Sequence, residues 1–104
     1  MAAGETLYQR KMKRTLDQPL RVQISEMIDR HAPTLPVAVT HEWDSNGILL
    51  RIRSVMMSFV VSFANNRVVV VVGEMSFAGR LFYTQANRQK AIQFFDEIAT
   101  ELDL

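Results

Sequence analysis

Five valines stand in a row from Val68 to Val72, with no charge and no proline among them. A β-branched run of this kind belongs in a strand, where stiff, branched side chains pack well on a pleated surface. Successive strand side chains point to opposite faces, so both faces of this strand must meet apolar material. A sheet with one wet face would alternate apolar and polar residues here, and this strand does not. Arg67 and Glu74 flank the run as gatekeepers. The chain therefore has to build a sheet around Val68–Val72 and cover it.

The residues upstream supply that sheet. From Val37 onward the apolar period is two: Val37, Val39, His41 and Trp43 point one way, and Ala38, Thr40 and Glu42 the other. Asp44-Ser45-Asn46-Gly47 reads as a reverse turn, with Gly47 suited to positive φ. Ile48, Leu50 and Ile52 then alternate with Leu49, Arg51 and Arg53. A third strand, Val55 to Phe63, places Val55, Met57, Phe59, Val61 and Phe63 on the core face and Met56, Ser58, Val60 and Ser62 on the other. Ala64-Asn65-Asn66 turns the chain into the valine strand, which runs from Arg67 to about Met75. Consecutive strands joined by short turns predict an antiparallel meander.

Helical spacing brackets the meander. Asp17 is suited to cap a helix whose second position is Pro19. Leu20, Ile24, Met27, Ile28 and His31 share one stripe of it, Gln23, Glu26 and Arg30 face away, and Pro33 and Pro36 stop it. A second helix, Gln85 to Leu102, buries Ile92, Phe95, Ile98, Ala99 and Leu102 and leaves Arg88, Lys90, Asp96, Glu97 and Glu101 to solvent. The segment Tyr8 to Arg14 is basic and reads as frayed coil or a short edge strand, and residues 1–7 as a loose N-terminal end. The predicted fold is a single-domain α+β two-layer sandwich over residues 1–104. It has an antiparallel meander of four to five strands with two helices on one face, in the order (β)-α-β-β-β-β-α.

Composition narrows the chemistry. The chain has 104 residues and no cysteine, which excludes disulfides, thiolate metal sites and cysteine nucleophiles. A net charge of +1 favours no nucleic-acid partner, and the basic residues Arg10, Lys11, Lys13 and Arg14 lack a second patch to work with. No stretch at the N-terminus has the apolar run of a secretory signal, and the Val55–Val72 region is interrupted by Ser58, Ser62, Asn65, Asn66 and Arg67. A cytoplasmic protein without a transmembrane segment is expected.

The motif search finds no chemistry. His31 ends a helix, where a cation complements the dipole, and His41 and Glu42 are strand neighbours that point apart. Asp44–Gly47 has its glycine fourth, whereas a calcium loop needs it sixth and a carboxylate twelfth, where Val55 stands. Gly73–Gly79 matches neither a nucleotide-binding fingerprint nor a nucleophile elbow, and Gly73 reads as a strand bend or bulge. Trp43, on the inward face with Val37 and Val39, is expected in the core. No catalytic residue, metal or cofactor is expected.

One surface remains. The outer sheet face carries Leu49, Met56, Val60 and part of the valine run. With Val70, Val71 and the apolar segment Phe77, Leu81, Phe82 and Tyr83, it forms a candidate partner or ligand surface. The reading is a homodimer packed through the sheet or its edge, or contact with another hydrophobic partner. The alternative is a small-ligand-binding protein or thioesterase- or cyclase-like enzyme, with a pocket between sheet and helices lined by His41, Trp43 and Tyr83.

Four stretches resemble the small polyhydroxyalkanoic-acid-system proteins, the polyhydroxyalkanoate granule-region family. Lys13-Arg14-Thr15-Leu16-Asp17-Gln18-Pro19-Leu20-Arg21 is similar to the family's basic lead into its first helix, and His41-Glu42-Trp43-Asp44-Ser45-Asn46-Gly47-Ile48-Leu49 to its tryptophan, turn and strand. Asn66-Arg67-Val68-Val69-Val70-Val71-Val72 is similar to its turn and valine-rich strand, and Ile92-Gln93-Phe94-Phe95-Asp96-Glu97-Ile98 to its closing helix. The resemblance covers most of the chain from Met12. It implies a non-enzymatic accessory protein associated with storage-polyester granules, with no catalytic residues to carry over.

Overall fold

A computed structural model describes residues 5–35, 38–54, 57–64, 68–75 and 85–104. Met56, Phe77, Leu81, Phe82 and Tyr83 lie outside these residues, as do Val37, Val55 and Pro36. The elements are β1 (Glu5–Lys11), α1 (Gln18–His31), a 3-10 turn (Ala32–Thr34), β2 (Thr40–Trp43), β3 (Leu49–Arg53), β4 (Met57–Ala64), β5 (Val68–Met75) and α2 (Gln85–Glu101). They form one five-stranded sheet in the order β1-β5-β4-β3-β2, and every neighbouring pair is antiparallel. The architecture is the expected α+β sandwich.

One sequence expectation changes at the N-terminus. Residues 5–7 are not a loose end: they open β1, and Leu7 is buried. The valine strand lies inside the sheet, since β5 is hydrogen-bonded to β1 on one side and β4 on the other. An unpaired β5 edge is therefore not available for self-association. The bulge expected at Gly73 falls across from it, on β1, where the register slips between Thr6 and Tyr8. Gly73 makes room for it: a Cβ there would stand 2.8 Å from Leu7 Cδ1. The bulge thus delivers Leu7 into the core over a residue with no side chain.

The core lies between the helices and one sheet face. Leu50, Ile52, Phe59, Val61, Phe63, Val69 and Val71 supply the sheet side. Leu20, Ile24, Met27 and Ile28 of α1 and Ala91, Phe94, Phe95, Ile98 and Ala99 of α2 supply the other. The apolar stripe of α2 is wider than its spacing suggested, because Phe94 is buried and set edge-on to Phe95, their centroids 5.1 Å apart. Asp17 caps α1 as expected, its carboxylate accepting the Leu20 N–H at 2.9 Å.

The stretch from Met12 to Asp17 carries the chain from the β1 edge toward the β2 edge. The last turn of α2 closes with Asp103 at φ 52°. Asp103 N–H donates to Thr100 O at 3.1 Å and Leu104 N–H to Ala99 O at 3.0 Å, a Schellman arrangement. It turns Leu104 back into the core, where it is 3% exposed.

Candidate functional site

The sheet face opposite the helices is assembled by register. Val70 lies between Gln9 of β1 and Ser62 of β4, and Ser62 is paired in turn with Leu49. In the next row on the same face, Val72 lies between Thr6 and Val60, followed by Arg51 and Glu42. Leu49, Val60, Val68, Val70 and Val72 are all half-buried, and among the described residues no helix is placed over them. Exposed Lys11, Arg51, Arg53 and Glu42 surround this apolar centre. The arrangement offers dispersion contact and desolvation rather than a positioned acid, base or nucleophile.

Val71 does not belong to this surface. It is 1% exposed and part of the core, because a strand side chain one residue from Val70 must point to the other face. Val60 and Val70 are half-buried on the open face.

Among the described residues, the space between sheet and helices is nearly filled. The cavity between sheet and helices measures about 30 Å³, room for about one water, against the roughly 300 Å³ or more of a small-molecule site. Ile24, Leu50, Phe63, Val71, Phe95 and Leu104 are among its lining, while His41 and Trp43 are not. His41 and Trp43 therefore do not meet at this cavity, and Tyr83, the third expected lining residue, lies outside the described residues.

Trp43 is also not a fully buried core residue. It is half-buried, stacked on Phe63 at 5.7 Å between centroids, and its indole N–H donates to Ser25 Oγ at 2.9 Å. Its outer side lines an open groove of about 470 Å³ between α1 and the β2–β3 turn, with Arg21, Val22, Ser25, Glu26 and Asp29 on the helix wall. Gly47, at φ 70°, holds the turn; a Cβ on it would meet Arg21 Nε at 2.8 Å. That closeness lets Arg21 Nε donate to Gly47 O, also at 2.8 Å. Sequence reasoning missed this groove. Its signal was the i, i+4, i+8 stripe of Arg21, Ser25 and Asp29 beside the apolar stripe of α1.

The two histidines tie elements together. His31, at the end of α1, has Nε2 3.3 Å from Glu101 Oε2 and Nδ1 3.7 Å from Glu97 Oε2. His41 Nδ1 lies 3.5 Å from Asp29 Oδ1. Among the described residues no group of three His, Cys, Asp or Glu side chains could hold a metal ion.

Three of the basic N-terminal residues, Arg10, Lys13 and Arg14, face α2. Arg10 Nη1 donates to Thr100 Oγ1 at 3.1 Å, Lys13 Nζ to Asp103 Oδ1 at 3.2 Å, and Arg14 Nη1 to Leu102 O at 2.8 Å. These cations sit at the carboxyl end of α2, where the helix dipole is negative. Tyr8 joins them, its hydroxyl donating to Asp96 Oδ1 at 2.9 Å. Burial raises the phenol above its usual pKa, the Asp96 carboxylate adds to the rise, and Arg10 opposes it.

No helix among the described residues is long and apolar enough to cross a membrane. Comparison of the chain with protein-family models, curated proteins and solved structures finds no match.

Proposed function

We propose that this chain is a non-enzymatic binding protein that works through the open face of its sheet, and that the first occupant of that face is a second copy of the chain. The observation that carries this reading is the half-buried apolar centre Leu49, Val60, Val68, Val70 and Val72, left without a helix over it among the described residues. Face-to-face stacking of two such sheets would complete the two-sided burial that the valine run demands. The resemblance to the granule-region family extends the reading to a storage-polyester surface, which offers apolar contact of the same kind.

The filled interior supports a binding role over the alternative of a ligand or substrate pocket between sheet and helices. The engagement of Arg10, Lys13 and Arg14 with α2 supports a function without nucleic acid. Sedimentation equilibrium at micromolar concentration tests the dimer, with Val60→Lys as the matched variant. Wild type is expected as a dimer and the variant as a folded monomer. Monomeric wild type overturns the self-association reading. Co-sedimentation with polyhydroxyalkanoate particles would then decide between the polyester surface and no hydrophobic partner at all.

A further inference from the structure

Among the described strands, β2 ends the sheet on the side away from β1. In the β2–β3 hairpin, Asp44 N–H donates to Leu49 O at 2.9 Å. The register then pairs Trp43 with Leu50, Glu42 with Arg51, His41 with Ile52 and Thr40 with Arg53. Hydrogen-bonded and non-hydrogen-bonded pairs alternate along an antiparallel ladder. Glu42 and Thr40 therefore direct their amides to β3, and His41 and Trp43 direct theirs outward. The Phe63 N–H bond to Ile48 O, at 3.2 Å, fits the same alternation on the far side of β3. Among the described residues, no strand pairs with that outward edge.

The two edges of the sheet are built differently. β1 carries the bulge at Leu7 and ends on exposed Lys11, both devices that discourage strand addition. β2 has neither a bulge nor a lysine or proline, and only its shortness limits what can pair with it. Beside it lies the groove walled by α1. Of the two large apolar side chains exposed among the described residues, Val22 at 45% lines this groove, whereas Ile48 at 46% follows the Gly47 turn and is not part of the lining.

The groove is also polarised. At one end the Arg21 guanidinium is fixed by Gly47 O and, at 3.4 Å, by Gln18 Oε1, while its Nη2 makes no hydrogen bond among the described residues. At the other end stand Asp29 and Glu26. The helical rise puts Arg21 and Asp29 about 12 Å apart along α1, the span of three to four extended residues at roughly 3.4 Å each.

We propose that this groove receives a short extended peptide segment of a partner protein, which adds antiparallel to β2 through the outward amides and carbonyls of His41 and Trp43. The segment is apolar in its middle, acidic where it passes Arg21 and basic where it passes Asp29 and Glu26. Main-chain pairing gives the attachment, and Trp43, Val22 and the charged ends give the selectivity. This site is independent of the sheet-face reading, so either can fail alone.

The test is a ¹⁵N NMR titration of the wild-type chain with the probe peptide acetyl-Asp-Val-Thr-Val-Lys-amide. A parallel titration uses the same peptide N-methylated on the amides that would face β2. Saturable shifts are expected at the Trp43 indole and at the His41 and Trp43 amides, with a Kd near ~1 mM and at least about tenfold weaker binding of the methylated peptide. Equal binding of both peptides overturns strand addition. Absence of saturable shifts up to about 5 mM, or shifts confined to β4 and β5, overturns the site.

Discussion

Lysine placed at Val70 and at Val71 should have opposite consequences, and the difference can be estimated from the structure. Val71 is 1% exposed, and the described core contains no buried polar or charged residue that could receive an ammonium. Replacing it removes a burial worth about 1.5–3 kcal/mol. The unpaired cation adds a desolvation cost of several kcal/mol. The sum exceeds ~5 kcal/mol, comparable with the whole stability of a typical small domain, about 5–15 kcal/mol. Val71→Lys should therefore be largely unfolded.

Val70 is half-buried on the open face between Gln9 and Ser62. A lysine there can lay its stem along the sheet and keep its ammonium in water, so the cost should stay within about 1 kcal/mol. Urea denaturation followed by far-UV circular dichroism reads both variants against wild type. Val70→Lys should keep a cooperative transition near the wild-type midpoint, while Val71→Lys should show none. A folded Val71→Lys, or an unfolded Val70→Lys, would mean that the helices do not cover the face assigned to them here, and the proposed binding face would fall with that assignment.

Three further substitutions probe what holds the sandwich in place. Gly47→Ala should cost about 1–2 kcal/mol in chemical denaturation, because the residue sits at φ 70° and its new Cβ would displace Arg21; an unchanged midpoint would count against the turn described. Leu104→Ala should cost about 2–4 kcal/mol, since Leu104 is buried and its position is fixed by the Schellman bonds of α2; a change below about 0.5 kcal/mol would place it at the surface. Tyr8→Phe should cost ~1 kcal/mol near neutral pH through loss of the bond to Asp96. The Tyr8 phenol is raised on folding, so its contribution is complete below the unfolded value and is lost as pH rises through the folded one. Wild-type stability should thus fall above about pH 10, and Tyr8→Phe should fall less steeply. Parallel alkaline slopes would refute the raised Tyr8 phenol.

Most of the fold was legible in local pattern. The change from helical to two-residue period at Val37, the Gly47 turn, the Asp17 cap and the alternation around Phe59, Val61 and Phe63 each report on neighbours along the chain. What local pattern does not carry is which distant segment pairs with which. β1 contains a basic stretch and a bulge that blur its period, so Glu5–Leu7 read as an end rather than a strand. Trp43 shows a related limit. Its inward direction followed from alternation, but β2 is the last strand of the sheet, so an inward residue there is covered on one side only and meets a groove on the other. The residues of that groove were harder still to see, because Arg21, Ser25 and Asp29 look like an ordinary solvated helix flank until β2 is set beside them.

The placement of β1 also explains how a chain with five consecutive valines avoids pairing with itself along an edge. Without β1, one side of β5 would present unpaired amides over an uncharged β-branched run, a template for aggregation. β1 covers that side along Val68–Gly73 and moves the edge outward to a strand that carries a bulge and Lys11. The charges that make β1 and its extension look like a nucleic-acid arm have a different task in the fold. Arg10, Lys13 and Arg14 reach the carboxyl end of α2, and Tyr8 reaches Asp96 on the same helix. Basic residues at that end are favourable because the dipole and the unsatisfied carbonyls are there. One short segment therefore pairs with β5 on its inner side, guards the sheet at its outer side and anchors α2. Among the described residues, the apolar surface left over then lies on the open face and at Val22 of the β2 groove, so those two places are where a partner can gain contact.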